Sequence, residues 1–102
     1  MDREEFVKRL VQLRMNKGVS ARDMSLSIGQ SQSYINNIEN GVNYPSMSTF
    51  FYLCQYLGVT PKEFFDVDSN NPVKEKELIE AVRGLKDDQI EHLIALARGL
   101  QK

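Results

Sequence analysis

The 102-residue sequence contains one cysteine, Cys54, and one histidine, His92. A single cysteine excludes an internal disulfide framework and suits a reducing compartment, so we expect a cytoplasmic protein. A single histidine outside any motif leaves few ways to build acid–base chemistry or a metal site. We therefore expect no enzyme, no metal and no cofactor. Cys54 is interpreted as a small core residue and His92 as a solvent-facing helix residue.

Long apolar runs and an excess of basic residues are also absent. The chain is charged from its second residue, and no apolar stretch approaches membrane length, so neither a signal peptide nor a membrane partner is expected. The formal net charge is -1, and no Lys or Arg occurs between Arg22 and Lys62. This balance argues against a strongly basic nucleic-acid binder. Any DNA partner must be held by positive charge from flanking segments.

Helix-start and helix-stop signals divide the first two-thirds of the chain into short helices. The expected capping residues are Asp2, Ser20, Ser31, Ser46 and Thr60. Glycines 18, 29, 41 and 58 serve as stops. The main apolar residues at helical spacing are Phe6, Leu10, Leu13, Met24, Ile28, Ile35, Ile38, Phe50, Leu53, Leu57, Phe64 and Phe65. We predict an all-α domain over residues 1–66, and the two short helices joined by a turn at Gly29 form a helix-turn-helix.

The remaining third of the chain has a different pattern. The polar stretch DVDSNN and the proline that follows it lack apolar periodicity, so residues 67–72 are interpreted as a linker. Residues 73–102 carry two amphipathic stripes, which cannot bury their apolar faces alone. They must dock on the first domain or pair with another chain, and we favour a helical hairpin that forms a homodimer. Its expected contact residues are Leu78, Val82, Leu85, Ile90, Leu93, Ile94 and Ala97.

The stretch SQSYINNIEN, residues 31–40, combines an apolar and an amide-rich face. At about 100° per residue, Ile35 and Ile38 share one side of a helix. The polar residues opposite them are Ser33, Asn36, Asn37 and Asn40. Amides disfavour helix interiors because they compete for the backbone, but an amide can donate and accept together against the edge of adenine. The stretch is either a DNA-reading helix or a merely solvated surface, and we favour the first.

Several motifs in register carry a family resemblance. SARDMSLSIGQSQSYINNIENG, residues 20–41, is followed by Tyr44-Pro45-Ser46 and then by LCQYLGVTPKEFF. Over roughly residues 4–66 the chain resembles the Cro/C1-type (XRE) helix-turn-helix repressors of phages and bacteria. The resemblance implies a five-helix, lambda-repressor-like DNA-binding domain. Its third helix would enter the major groove, usually from a dimer on a pseudo-palindromic site.

The resemblance and the residue chemistry together assign roles within this domain. Carried over by position, base reading falls to Gln32, Ser33, Asn36 and Asn37. Charge for the DNA backbone would come from Arg14, Lys17, Arg22 and Lys62. Neutral hydrogen bonds to the backbone are expected from Ser31, Tyr34, Asn40, Asn43, Tyr44 and Ser46. For Tyr34, packing against the protein surface is an equally good interpretation. The family also pairs the glutamate matching Glu39 with an arginine of the first helix, here Arg14. With so few cations, we expect a shallow salt dependence of binding.

Two positions depart from the family pattern. Ala21 stands where many members carry a glutamine that touches a phosphate, and Ser25 stands where alanine is usual. We interpret Ser25 as a small buried contact between two helices. The sequence thus predicts a dimeric, sequence-specific transcriptional regulator, a repressor by family analogy, with double-stranded DNA as its partner. The alternative is a protein-interaction or antitoxin-like module with weak DNA binding and a regulatory protein partner.

Overall fold

A computed structural model describes residues 1–101, and all the regular structure in that range is α-helical. The helices are α1 (Arg3–Lys17), α2 (Ala21–Ser27), α3 (Tyr34–Glu39), α4 (Met47–Leu57), α5 (Pro61–Phe65), α6 (Pro72–Val82) and α7 (Asp87–Leu100). The predicted all-α class is confirmed. None of these helices is long and apolar enough to cross a bilayer. Lys102, the end of the predicted C-terminal segment, lies outside the described residues.

Side-chain caps start most of the first five helices where the sequence predicts them. Asp2, Ser20, Ser46 and Thr60 each accept a hydrogen bond from the backbone N–H three residues further on. At the other end of α1, Gly18 adopts a left-handed φ of 77° and donates its N–H to the last carbonyls of the helix. Local capping chemistry therefore sets these helix bounds.

The third helix begins later than predicted. The sequence indicates a helix over residues 31–40 that Ser31 caps, but α3 spans Tyr34–Glu39 and Ser33 at its N-cap makes no side-chain capping bond. Residues 31–33 form a turn instead, in which the Ser31 carbonyl accepts the N–H of Tyr34 at 3.1 Å. The prediction is wrong because the first turn of α3 is held from outside, by the hydroxyl of Ser25 on α2.

The core is formed mainly by the apolar faces of the first five helices, α1 to α5. Its buried members are Phe6, Leu10, Leu13, Met24, Ile35, Ile38, Phe50, Leu53, Cys54, Leu57, Val59 and Phe64. Three of the phenylalanine rings meet at its centre, with centroid distances of 5.1–6.1 Å. Burial raises the pKa of the Cys54 thiol to about 11, so the thiol is a neutral core group. Phe65, predicted to close the core, is 48% exposed because only Phe64 of the pair points inward.

A charged residue that the apolar pattern does not reveal is also buried. Arg9 on α1 is only 2% exposed. Its guanidinium donates to the carbonyl oxygens of Phe64 at 2.6 Å, Ser69 at 2.7 Å and Glu63 at 2.8 Å. Burial lowers the pKa of this guanidinium. Because a buried charge must be hydrogen-bonded, Arg9 ties α1 to the end of α5 and to the segment beyond it.

The segment predicted as a linker is folded against α1. Besides the Arg9 contact at Ser69, the carbonyl of Asn70 accepts a hydrogen bond from the side chain of Asn16 at 2.7 Å. Asn71 caps α6 through its side chain, and Pro72, which is buried, is the first residue of that helix. The connection between α5 and α6 therefore ends at Asn71, one residue before the end of the predicted linker, 67–72. It is also anchored, because its carbonyls satisfy donors on α1.

The two predicted C-terminal helices are present, but they do not close into a hairpin within one chain. α6 and α7 make no extensive contact with each other, and α7 contributes no buried residue. The chain is correspondingly elongated, with extents of 50 × 26 × 21 Å. The apolar stripe of α7 is left uncovered, with Leu93 41% and Ile94 40% exposed.

Arg9→Met tests how much the buried guanidinium contributes, because methionine keeps an apolar stem and removes every donor. We expect the free energy of unfolding in urea to fall by about 2–4 kcal/mol, since three carbonyls, two of them in buried hydrogen bonds, lose their donor. Limited proteolysis should become faster within residues 66–71. Lys8→Met, at the exposed neighbouring position, should change stability by less than about 0.5 kcal/mol. Equal stability of the two variants would contradict this role.

Candidate nucleic-acid interface

A buried hydroxyl joins α2 to α3. Ser25 is fully buried; its Oγ donates to the carbonyl of Ala21 at 2.7 Å and accepts the N–H of Ile35 at 2.9 Å. Ile35 is the second residue of α3, so Ser25 does from the neighbouring helix what an N-cap side chain does locally. The expected buried contact between the two helices is confirmed. Its hydrogen-bonding role is not evident from the sequence.

An ion pair fixes the other end of α3. Arg14 and Glu39 form a bidentate salt bridge. Nε of Arg14 donates to one carboxylate oxygen at 2.7 Å, and Nη2 donates to the other at 3.0 Å. Its third nitrogen donates to the carbonyl of Val19 at 2.9 Å. The pair expected from the family resemblance is confirmed. Every nitrogen of Arg14 already donates to the protein and its side chain is 13% exposed, so the geometry does not support the predicted contact between Arg14 and the DNA backbone.

The outer side of α3 carries the residues predicted to read bases. Gln32 and Ser33 lie in the turn before the helix, Asn36 and Asn37 lie on its outward face, and all four are exposed. Ile35 and Ile38 face the core on the opposite side. Within residues 1–101, the side-chain amides of this group have no hydrogen-bond partner, so they are free to donate and accept together.

The residues predicted to contact the DNA backbone surround this face. Ser31, Asn40, Asn43, Tyr44 and Ser46 are exposed. The hydroxyl of Ser46 also caps α4. Tyr34 is only partly exposed and packs against the core. Its position is compatible with both uses left open by the sequence, namely packing and contact with DNA.

The predicted cations differ in their availability. Arg22 lies in the first turn of α2, is exposed, and makes no ion pair within the described part of the chain. Lys17 instead donates its Nζ to the carbonyl of Tyr56 at 2.5 Å and lies 4.1 Å from the centroid of that ring. This contact holds Lys17 at the C-terminal end of α4. Lys62 is exposed on α5.

One cation near this surface is missed by the sequence reasoning. Arg3, at the start of α1, donates Nη1 to the carbonyl of Gly41 at 2.9 Å, and its guanidinium carbon lies 4.6 Å from the centroid of the Tyr44 ring. Tyr44 in turn packs edge-on against Phe6, at 5.6 Å between centroids. No local signal reveals this arrangement, since it depends on how α1 packs beside α3.

Comparisons with known proteins agree with the geometry. A family model described as a helix-turn-helix domain matches residues 7–69. An uncharacterized HTH-type transcriptional regulator, y4dJ, from Sinorhizobium fredii is 30% identical over 73 residues, which are 71% of this chain and 95% of the relative. The crystal structure of the restriction-modification controller protein C.AhdI from Aeromonas hydrophila is also similar. It has 31% identity and a TM-score of 0.58, and the match covers 63% of this chain and 93% of that one.

Ser25→Ala tests the hydrogen bond that starts α3. Removing the hydroxyl leaves the N–H of Ile35 without an acceptor in a buried place, so the free energy of unfolding should fall by about 1–2 kcal/mol. Urea denaturation followed by circular dichroism measures it. Ser27→Ala, at an exposed position on the same helix, is the matched control and should be neutral. If Ser25→Ala were as stable as the control, the cap would not contribute.

Proposed function

The chain belongs to the Cro/C1-type (XRE) family of helix-turn-helix transcriptional regulators, and from this premise we propose that it is a repressor. It would bind a pseudo-palindromic operator as a dimer, with the turn before α3 and α3 itself in the major groove. The observation that carries this proposal is a group of four exposed polar side chains, two in the turn before α3 and two on α3 itself. The other face of this helix, its start and its end are all held by contacts with the rest of the protein. A rigidly held amide can be selective, because the wrong base leaves its hydrogen bonds unpaired.

The proposed division of labour follows from chemistry and position. Gln32, Ser33, Asn36 and Asn37 read base edges, since amides and hydroxyls can match donor and acceptor patterns in the major groove. Arg22 holds a phosphate through its charge. Neutral hydrogen bonds to the backbone come from Ser31, Tyr34, Asn40, Asn43, Tyr44 and Ser46. These contacts position the domain but carry no sequence information directly.

Asn37→Ala and Arg22→Gln should have different effects on DNA binding. In selections from random duplex DNA, we expect Asn37→Ala to relax preference at one base pair by about 1–3 kcal/mol. Arg22→Gln should leave the selected sequence unchanged and weaken binding to every duplex alike, because it removes a phosphate contact. Gln55→Ala removes an exposed amide from α4 and is the control for Asn37→Ala. Identical behaviour of Asn37→Ala and Arg22→Gln would refute the division between reading and anchoring.

The uncovered face of α7 supports the dimer. The helix is amphipathic and about half of it is apolar, yet none of its residues is buried in the single chain. Such a helix is stable when its stripe is buried against another element. A second copy is the partner proposed here, because a twofold dimer presents two reading helices to two half-sites. The proposed contacts are Leu78, Val82, Leu85, Ile90, Leu93, Ile94 and Ala97.

Charges introduced into the α7 stripe should separate the dimer. In the double variant Leu93→Glu/Ile94→Glu, two carboxylates would have to be buried, so we expect a monomer by analytical ultracentrifugation. Binding to a full palindrome should weaken, whereas binding to a half-site should persist. His92→Glu puts a carboxylate on the opposite side of α7, where it stays in solvent, and should remain dimeric. A double variant that stays dimeric would exclude this interface.

A protein-interaction module remains the second candidate function. It is favoured by exposed aromatic side chains on the α4–α5 side, where Phe51 is 52% and Phe65 is 48% exposed. The absence of Lys and Arg between Arg22 and Lys62 points the same way. The same selection experiment separates the two functions. Enrichment of a palindrome supports the repressor, and no enrichment at any salt concentration supports the interaction module.

A further inference from the structure

Positive charge is scarce around the outward face of α3. No Lys or Arg lies between Arg22 and Lys62 in the sequence. Of the cations expected to compensate, Arg14 is paired with Glu39 and Lys17 is held against Tyr56. At the α2 end of this surface, Arg22 is exposed and available to contact DNA. The opposite end, where the chain leaves α3 through residues 41–46, contributes only neutral groups from its own sequence.

Arg3 brings a positive charge to that opposite end. Its Nη1 bonds the Gly41 carbonyl, and its guanidinium lies over the ring of Tyr44. Both contacts are with residues of the loop between α3 and α4. The ring is itself held by Phe6, whose own side chain is in the core. The guanidinium therefore has a defined position beside the loop, although it comes from 38 residues earlier in the chain.

The charge of Arg3 is not neutralised by this arrangement. Within residues 1–101, the ion pairs are Arg14–Glu39 and Lys74–Glu77, and neither involves Arg3. Glu4 and Glu5 share the same stretch of α1 but lie beyond ion-pair distance of its guanidinium. A carbonyl and an aromatic face hold a cation in place without cancelling its charge. A guanidinium has five N–H donors, and the Gly41 carbonyl accepts from one nitrogen, so others remain to donate.

We propose that Arg3 is a phosphate-binding residue of the DNA interface. Its guanidinium binds a DNA phosphate at the end of α3 opposite to Arg22. Neutral donors of the α3–α4 loop, such as Asn43 and Tyr44, bind the same phosphate. Guanidinium suits this task because its planar fork matches phosphate oxygens. Its existing contacts also reduce the conformational entropy lost on binding. The inference rests on the proposed function, since it requires that this face of the protein meets DNA.

Arg3→Gln and Arg3→Lys test the assignment by salt dependence. The probe is a fluorescein-labelled duplex of the sequence that the wild-type protein enriches most from a random pool, titrated from 50 to 200 mM salt by anisotropy. Each cation–phosphate contact contributes about 0.9 to the slope of log K against log salt concentration. Arg3→Gln should therefore lower the slope by about 0.9 per protomer, so that the loss of affinity at 50 mM salt exceeds the loss at 200 mM by about 3.5-fold per protomer. Arg3→Lys should keep most of the slope, because it keeps the charge.

Lys8→Gln is the matched control, since it removes the same charge from an exposed position five residues further along α1. It should leave the slope unchanged. Thermal unfolding of each variant identifies any loss that comes from a weakened end of α3. An Arg3→Gln protein that binds less tightly with the wild-type slope would overturn the phosphate assignment and leave the proposed function intact. A wild-type protein that enriches no duplex would overturn both.

Discussion

A six-residue helix is not stable alone in water, because the unfavourable free energy of nucleation exceeds the favourable contribution of so few hydrogen bonds. The structure of α3 therefore depends on contacts supplied by other elements. Ser25 binds its first turn from α2, Arg14 grips Glu39 near its end, and Arg3 donates to the carbonyl of Gly41 just beyond it. Together with the buried isoleucines, these contacts hold a short helix whose outward amides are left without protein partners.

Helix α1 supplies two of these three hydrogen-bonded contacts, and its arginines have two different roles. The side chains of Arg9 and Arg14 are largely buried, and their N–H groups donate to acceptors within the protein. They stabilise the fold, and their guanidinium groups are therefore not available to contact DNA phosphates. In the proposed interface this leaves Arg3 and Arg22 at the two ends of the α3 surface. A regulator built this way gains little from counterion release, so its discrimination depends on base contacts by neutral side chains.

The parts of this structure that the sequence predicts are those determined by local chemistry. Asp2, Ser20, Ser46 and Thr60 cap helices because each capping bond spans three residues, and the period of the apolar residues identifies Ile35 and Ile38 as buried. Contacts between distant segments are not visible in that way. Neither the burial of Arg9 nor the position of Arg3 beside residue 41 follows from any local pattern. The predicted start of α3 is wrong for the same reason, since the hydroxyl that binds its first turn belongs to Ser25 rather than to Ser31.

The same long-range contacts determine how the C-terminal helices are connected to the proposed reading surface. Because Arg9 binds the carbonyl of Ser69 and Asn16 binds that of Asn70, the segment before α6 moves with α1. Helix α1 is also fixed to α3 through Arg14. The turn at residues 83–86 is then the connection to α7 that the first five helices do not hold. In the proposed dimer, the separation of the two reading helices consequently depends on the direction of α6 and on this turn. The segment that looks like a linker in the sequence is hydrogen-bonded to α1 and therefore helps to set the direction of α6.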